Sequence, residues 1–214
     1  MQNTAKSGEG AALNRVAQAP ETPIKISFLL LQCFETQGEG SPDEPYVVFY
    51  VADLSAPIFA KGITKCSGVF RDVDDDETHK RRNPLVLWGI DNHAAPIKNP
   101  DDVIILVALM ENDESTTAAV VNAVEASLSV TLNQYRIDGL SRAQMIQNLI
   151  RDMNGAIDLG KASGGINQDE RLGTVQEFRL TQDLLREARK GKAAASLHFN
   201  ADGKYRVQID LSRG

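Results

Sequence analysis

Carboxylates gather at three places in this chain of 214 residues. The first group is Glu35, Glu39, Asp43 and Glu44, in the stretch ETQGEGSPDE, which holds no base. The second is the run Asp72, Asp74, Asp75, Asp76 and Glu77. The third is Glu111, Asp113 and Glu114, joined much later in the chain by Asp169 and Glu170. These groups fall where hydrophobic stretches give way to polar ones. Calcium takes six to eight oxygens at about 2.3–2.6 Å, largely from carboxylates and backbone carbonyls on loops. Loops of this composition supply that chemistry. Each group taken alone is also what a solvated acidic surface looks like. No EF-hand loop of the DxDxDG type occurs.

Other site chemistries find little support. Cys33 and Cys66 form no CxxC, and His79, His93 and His198 show neither HExxH nor HxH spacing. A structural zinc site is therefore not expected. There is no GxSxG nucleophile elbow, no P-loop and no GxGxxG. A hydrolase using the acidic loops with a metal needs a dedicated general base, and none stands out. A binding module is thus the expected reading rather than an enzyme. Its formal net charge of −6 lacks the basic footprint of a nucleic-acid binder. No window approaches 18 consecutive apolar residues, so it is not read as an integral membrane protein. Residues 1–22 lack the apolar core of a secretory signal and read as a flexible tail ahead of a single domain, 23–214. A cytoplasmic location, or export without a classical signal, follows as the expectation, with both cysteines as core thiols.

The elements that must carry these acids follow from periodicity. Residues 24–34 (IKISFLLLQCF) begin with alternation and become a continuous apolar run, a strand expected to be buried on both faces. Further strands are expected at 46–53, 57–64 and 85–88, with 67–83 strongly polar. Within that stretch Lys80, Arg81 and Arg82 follow the acidic run and read as neutralising it. Residues 103–110 (VIILVALM) form the most hydrophobic strand. The period then changes. Val120, Val121, Val124, Leu128 and Leu132 have helical spacing across 116–135. Ser141 and Gln144 form a capping box that opens a second helix over 142–153. Strand character returns at 173–180. Thr181 caps a basic helix at 182–190 that ends at Gly191. Residues 193–199 and 204–211 read as a closing hairpin. Strands and helices do not alternate along the chain. The expected fold is a mainly β, antiparallel β-sandwich with an inserted α-helical hairpin at about 115–167 and one further short helix. The hairpin's apolar face is expected to pack back on the sandwich, against the competing reading of a partner or membrane contact.

Three segments resemble the C-two domain, the calcium- and phospholipid-binding sandwich of the protein kinase C type. Residues 40–47 (GSPDEPYV) are similar to the signature that ends that family's first calcium loop. Val107-Ala108-Leu109-Met110 running into Glu111-Asn112-Asp113 is similar to its hydrophobic strand before Asp-x-Asp. Gln168-Asp169-Glu170-Arg171-Leu172-Gly173 is similar to the close of its third loop. Glu stands where the family favours Asp at 44, 111 and 170, and a longer side chain widens such a site. The resemblance implies that Glu35, Asp43, Glu44, Glu111, Asp113, Asp169 and Glu170 converge at one tip and bind calcium. Clustered carboxylates repel one another without a cation. A bound ion relieves this and lets anionic membrane lipid approach. The implied function is a non-enzymatic, calcium-responsive binding module. The alternative is a protein-interaction or assembly module with a degenerate calcium site, in which the carboxylates diverge.

Overall fold

A computed structural model of the protein describes residues 21–38, 42–56, 59–89, 95–112, 117–163 and 170–214. Most of the tail expected at 1–22 lies outside the described residues. Strands β1 (Ile24–Glu35), β2 (Pro45–Asp53), β3 (Lys61–Cys66), β4 (Thr78–Trp88) and β5 (Val103–Glu111) come first. Helices α1 (Thr117–Ile137) and α2 (Arg142–Ser163) follow. Then come the two-residue strands β6 (Glu170–Arg171) and β7 (Gln176–Glu177), helix α3 (Gln182–Lys190), and strands β8 (Lys192–Phe199) and β9 (Lys204–Arg213). The first sheet runs β4-β1-β9-β8. The second runs β3-β2-β5-β6, and β7 also pairs with β5. Every pairing is antiparallel.

Strands β2 and β5 explain why the second sheet reads as unbroken hydrophobic sequence. Val47, Phe49 and Val51, with Ile105, Val107 and Leu109, enter the core between the sheets beside Phe28 and Ile209. Their neighbours Tyr46, Val48 and Tyr50, with Ile104, Leu106 and Ala108, face the other way. There they meet Val120, Val124, Leu128 and Leu132 of α1, and Leu149 and Met153 of α2. Side chains alternate across a strand, so a sheet covered on both faces needs apolar residues at every position. The hairpin packs back on the sandwich, as expected.

Strand β1 departs from the expectation of burial on both faces. Ile24, Ile26, Phe28, Leu31 and Cys33 point into the core, and the opposite face is only partly covered. The pairing of β1 with both neighbours shifts register between Phe28 and Leu30. That bulge at Leu29 resets the alternation, and it is the physical origin of the Leu29-Leu30-Leu31 run. Strand β4 begins at Thr78, well before the expected 85, because Lys80 and His79 pair with Leu30 and Leu31. An edge strand with one solvated face tolerates charge. Strand β3 lies at 61–66 rather than 57–64. Residues 173–180 form a ladder only at Gln176–Glu177, although the N–H groups of Leu172 and Phe178 still donate to Leu109 and Ile105 of β5.

The hairpin also closes an exposed edge. Glu125 accepts the Thr64 N–H at 2.5 Å, and Asn133 accepts the Ala60 N–H at 2.9 Å. Eight residues of helix rise about 12 Å. Four residues of strand span about 13 Å. The two spacings match, so α1 satisfies backbone groups along β3 that would otherwise invite another strand. Arg142 anchors the hairpin's turn to the sandwich, donating to the carbonyls of Asp101 and Val103 at 3.0 and 3.1 Å and to the Glu177 carboxylate at 2.8 Å. Helix α2 runs past the expected stop at 153. It crosses Gly155 and Gly160, and Gly160 lies where a Cβ would come within 2.8 Å of the Val120 Cα. The capping box is formed as expected: Ser141 and Gln144 bond reciprocally. So is the cap of α3: the Leu184 N–H donates to the Thr181 hydroxyl.

Candidate functional site

Register brings several of the acids to one end of the sandwich. Pro45 at the start of β2 pairs with Glu111 at the end of β5, and Glu111 pairs in turn with Glu170. Glu35 at the end of β1 pairs with Lys204 at the start of β9. Asp43 is fixed beside this end by a two-way backbone bridge to Val73. Asp113 and Asp169 lie outside the described residues, as do Glu39 and Glu114.

The described carboxylates at this end are held by donors of the protein itself. Asp43 is only 3% exposed. Its Oδ2 accepts from the Gln37 N–H at 3.2 Å and from the Tyr205 hydroxyl. Burial, followed by the bond to Asp43, pushes the Tyr205 phenol far above its ordinary range. Glu111 Oε1 accepts the Glu44 N–H at 2.5 Å. Glu44 Oε2 accepts from the Asn112 side chain at 3.1 Å, and the Asn112 N–H donates to the Glu44 carbonyl at 3.2 Å. Glu35 forms an ion pair with Lys204. Glu170 is exposed, and its neighbour Arg171 is drawn to Asn154 and Asp158 of α2.

The run 72–77 joins the same end in a different way. Asp75 Oδ1 accepts the Thr36 N–H at 2.7 Å and the Thr36 hydroxyl at 3.0 Å. These bonds hold Asp75 below the usual carboxylate range. Glu77 accepts from the Asp74 N–H at 3.2 Å and from His79 at 2.9 Å, and is lowered by them. Asp72 and Asp76 adopt φ of 55° and 59°, a turn conformation that Asp tolerates better than most residues. Val73 between them is fully buried. The run is a folded loop whose carboxylates bond nearby backbone. Among the described residues, the basic side chain that reaches it is His79, on Glu77 at 2.9 Å. Arg81 donates instead to the carbonyls of Ser67 and Asn83, so the expected neutralisation by 80–82 is not what forms.

The described acids do not by themselves fit a calcium sphere. Among the described residues, no group of three or more His, Cys, Asp or Glu comes together to hold a metal ion. Their oxygens turn toward Tyr205, Lys204 and backbone N–H groups rather than toward a common centre. The sequence reading missed those donors. Tyr205 and Lys204 open a strand nearly 170 positions away (the Lys204–Glu35 separation is 169), and no local motif marks that pairing. Cys33 lies beside this network, and burial pushes its thiol up to about 11. It is a core thiol rather than a nucleophile. Among the described residues, no helix is long and apolar enough to cross a membrane.

Two antiparallel sheets face to face, with a helical hairpin seated on the second, make this an antiparallel β-sandwich with a helical insertion. No family model matches the sequence. No curated protein matches it either. Solved structures similar to the chain include a C2 domain of plant Extended Synaptotagmin 1, at 8% identity and a TM-score of 0.36, covering 92% of this chain and 98% of that one. A second is a chain from the structure described as "CC2D1B coordinates ESRCT-III activity during the mitotic reformation of the nuclear envelope". It is 9% identical with a TM-score of 0.39, and the match covers 97% of this chain and 61% of that one.

Proposed function

We propose that the chain is a non-enzymatic interaction module that engages a protein partner through the loops at its acidic end, without needing bound calcium. The observation that carries this reading is the prior engagement of Glu35, Asp43, Glu44 and Glu111 by Lys204, Tyr205 and backbone or amide N–H donors. A cation recruiting Asp43 has to break a buried hydrogen bond, which costs about 1–3 kcal/mol for the group left unsatisfied. Glu35, Asp43, Glu44 and Glu111 are therefore engaged before any ion arrives.

A calcium-responsive form of the module, with anionic lipid as partner, is favoured by a different observation. The register places Glu44, Glu111 and Glu170 on adjoining strand ends. In that form Asp113 and Asp169 complete the ligand set, and Glu35 and Asp43 exchange their internal partners for the ion.

Thermal unfolding in EDTA, then in calcium and in magnesium at matched ionic strength, separates the two. A ligand at a hundred times its Kd stabilises the folded state by about 2.7 kcal/mol. The calcium-independent reading expects no melting shift up to several millimolar. It also expects any retention on phosphatidylserine vesicles to be the same in EDTA as in calcium. A rise with calcium but not magnesium, abolished in Asp113→Asn, overturns it in favour of the calcium form.

A further inference from the structure

The hairpin covers the outer face of the second sheet. Among the described residues, the outer face of the first sheet carries no such layer. Register sets one row of that face across all four strands: Thr78 of β4, Gln32 of β1, Arg206 of β9 and His198 of β8. The flanking residues Leu31, Cys33, Tyr205, Val207 and Phe199 enter the core, so the row points outward. Strands lie about 4.8 Å apart, and the row spans about 14 Å. Lys80 stands on the same face, two residues from Thr78 and opposite Leu30.

Every side chain of this row can donate a hydrogen bond, and none is a carboxylate. Among the described residues, neither Arg206 nor Lys80 forms an ion pair. The carboxylates further along β1 and β9, Glu35 and Asp210, are already paired, with Lys204 and with Lys192 at 2.6 Å. Arg206 is partly buried, and its Nε is shielded from solvent with no hydrogen-bond partner. A buried donor left unsatisfied costs free energy, and nothing in the chain's own packing repays it. A ligand that turns the guanidinium outward relieves that cost and receives its forked donor set. One guanidinium, one ammonium and one imidazole suit a single, doubly charged oxyanion. They fall short of the about four to eight bases that hold a protein on an anionic membrane, and the net charge of −6 opposes such a surface. Lys80 and His198 are exposed, so the ligand's remaining contacts have to come from a larger partner. We propose that this row binds a phosphorylated side chain of a partner protein. The row lies on the sheet face rather than among the acidic loops, and its test does not depend on the function proposed for them.

The full chain is titrated into a fluorescein-labelled pool of degenerate heptapeptides with a central phosphoserine, and polarisation is read. The same pool with serine is the control. The expected result is saturable binding of the phosphorylated pool, at least tenfold tighter than the control, with inorganic phosphate competing only at far higher concentration. Arg206→Gln should weaken it about tenfold yet keep the wild-type melting temperature, because the guanidinium holds no internal partner. Lys80→Gln, at an exposed position, should weaken it several-fold. Lys25→Gln, on the same face beyond the row, should leave it unchanged. No saturable binding overturns the proposal, and so does equal binding of the two pools. Binding that survives both Arg206→Gln and Lys80→Gln overturns the assignment to this row. Loss confined to Arg206→Gln, with a lowered melting temperature, makes Arg206 structural and overturns it as well. Retention on phosphatidylserine vesicles that Arg206→Gln abolishes, without binding of the phosphorylated pool, gives the row to a membrane instead.

Discussion

The two sheets of this sandwich are built under different constraints. The second is covered on both faces, by the first sheet on one side and by the helical hairpin on the other. The first is covered on one face only. Strand β5 is consequently buried at every position, while β9 alternates between buried and partly exposed residues for most of its length. One backbone geometry thus produces two sequence patterns, and the difference lies in what packs on the outside. The hairpin interrupts the sandwich in sequence yet serves as its third layer.

Four predictions test this contrast, in falling order of effect. Leu106 and Gln208 both point away from the core between the sheets, one on each sheet. Leu106→Ala should cost about 2–5 kcal/mol, because it opens a cavity under the hairpin. Gln208→Ala should cost about 0.5–1.5 kcal/mol, because it removes the 2.9 Å bond from its amide to the Asp210 carboxylate, which Lys192 still pairs. Chemical denaturation of the two variants reads the difference directly, and equal costs would break the comparison.

Within the hairpin, two glycines of α2 should respond with opposite signs. A Cβ at Gly160 meets the Val120 backbone, so Gly160→Ala should destabilise by about 1–3 kcal/mol through overpacking. A Cβ at Gly155 meets nothing within 4 Å, so Gly155→Ala should stabilise by up to about 1 kcal/mol through helix propensity. Melting temperatures of the pair settle the closeness of the α1–α2 contact.

At the acidic end, Tyr205→Phe leaves the buried Asp43 carboxylate one donor short and should cost about 1–3 kcal/mol. Denaturation midpoints compared with those of Tyr135→Phe, whose hydroxyl meets the less enclosed Asp152, test the point.

The smallest effect is in pH. Asp75 and Glu77 titrate below their ordinary values of 3.8 and 4.5 because backbone and side-chain donors favour their ionised forms. A lowered folded-state pKa gives stability that is present above the unfolded value and lost as pH falls through the folded one. Stability should therefore begin to decline below about pH 4.5. Carboxyl chemical shifts should place both groups' midpoints under those ordinary values. Midpoints at or above them would remove the loop bonds from the account.

Much of the fold was legible because burial imposes a period. The 103–110 run, the Val120–Leu132 stripe, the two caps and the closing hairpin each declare themselves within a few residues. Where long-range pairing overrides local composition, the sequence reading failed. Strand β4 carries Lys80 and Arg82 at exposed positions, so no hydrophobic pattern announces it. The Leu29 bulge disguised a one-sided strand as a two-sided one. At the acidic end, register brings together the strand ends that carry Glu44, Glu111 and Glu170. The partners that occupy Glu35 and Asp43 come from residues with no motif: Lys204 for the first, Gln37 and Tyr205 for the second. Spacing locates the carboxylates but cannot say which donors reach them first.

The most direct test of that occupation is a calcium titration followed by the amide resonances of Gln37 and Glu44, whose N–H groups donate to Asp43 and Glu111. The account predicts that both resonances stay in place through several millimolar calcium, matching magnesium. A saturable shift of both with calcium alone would show that the carboxylates exchange their internal donors for the ion, and would contradict it.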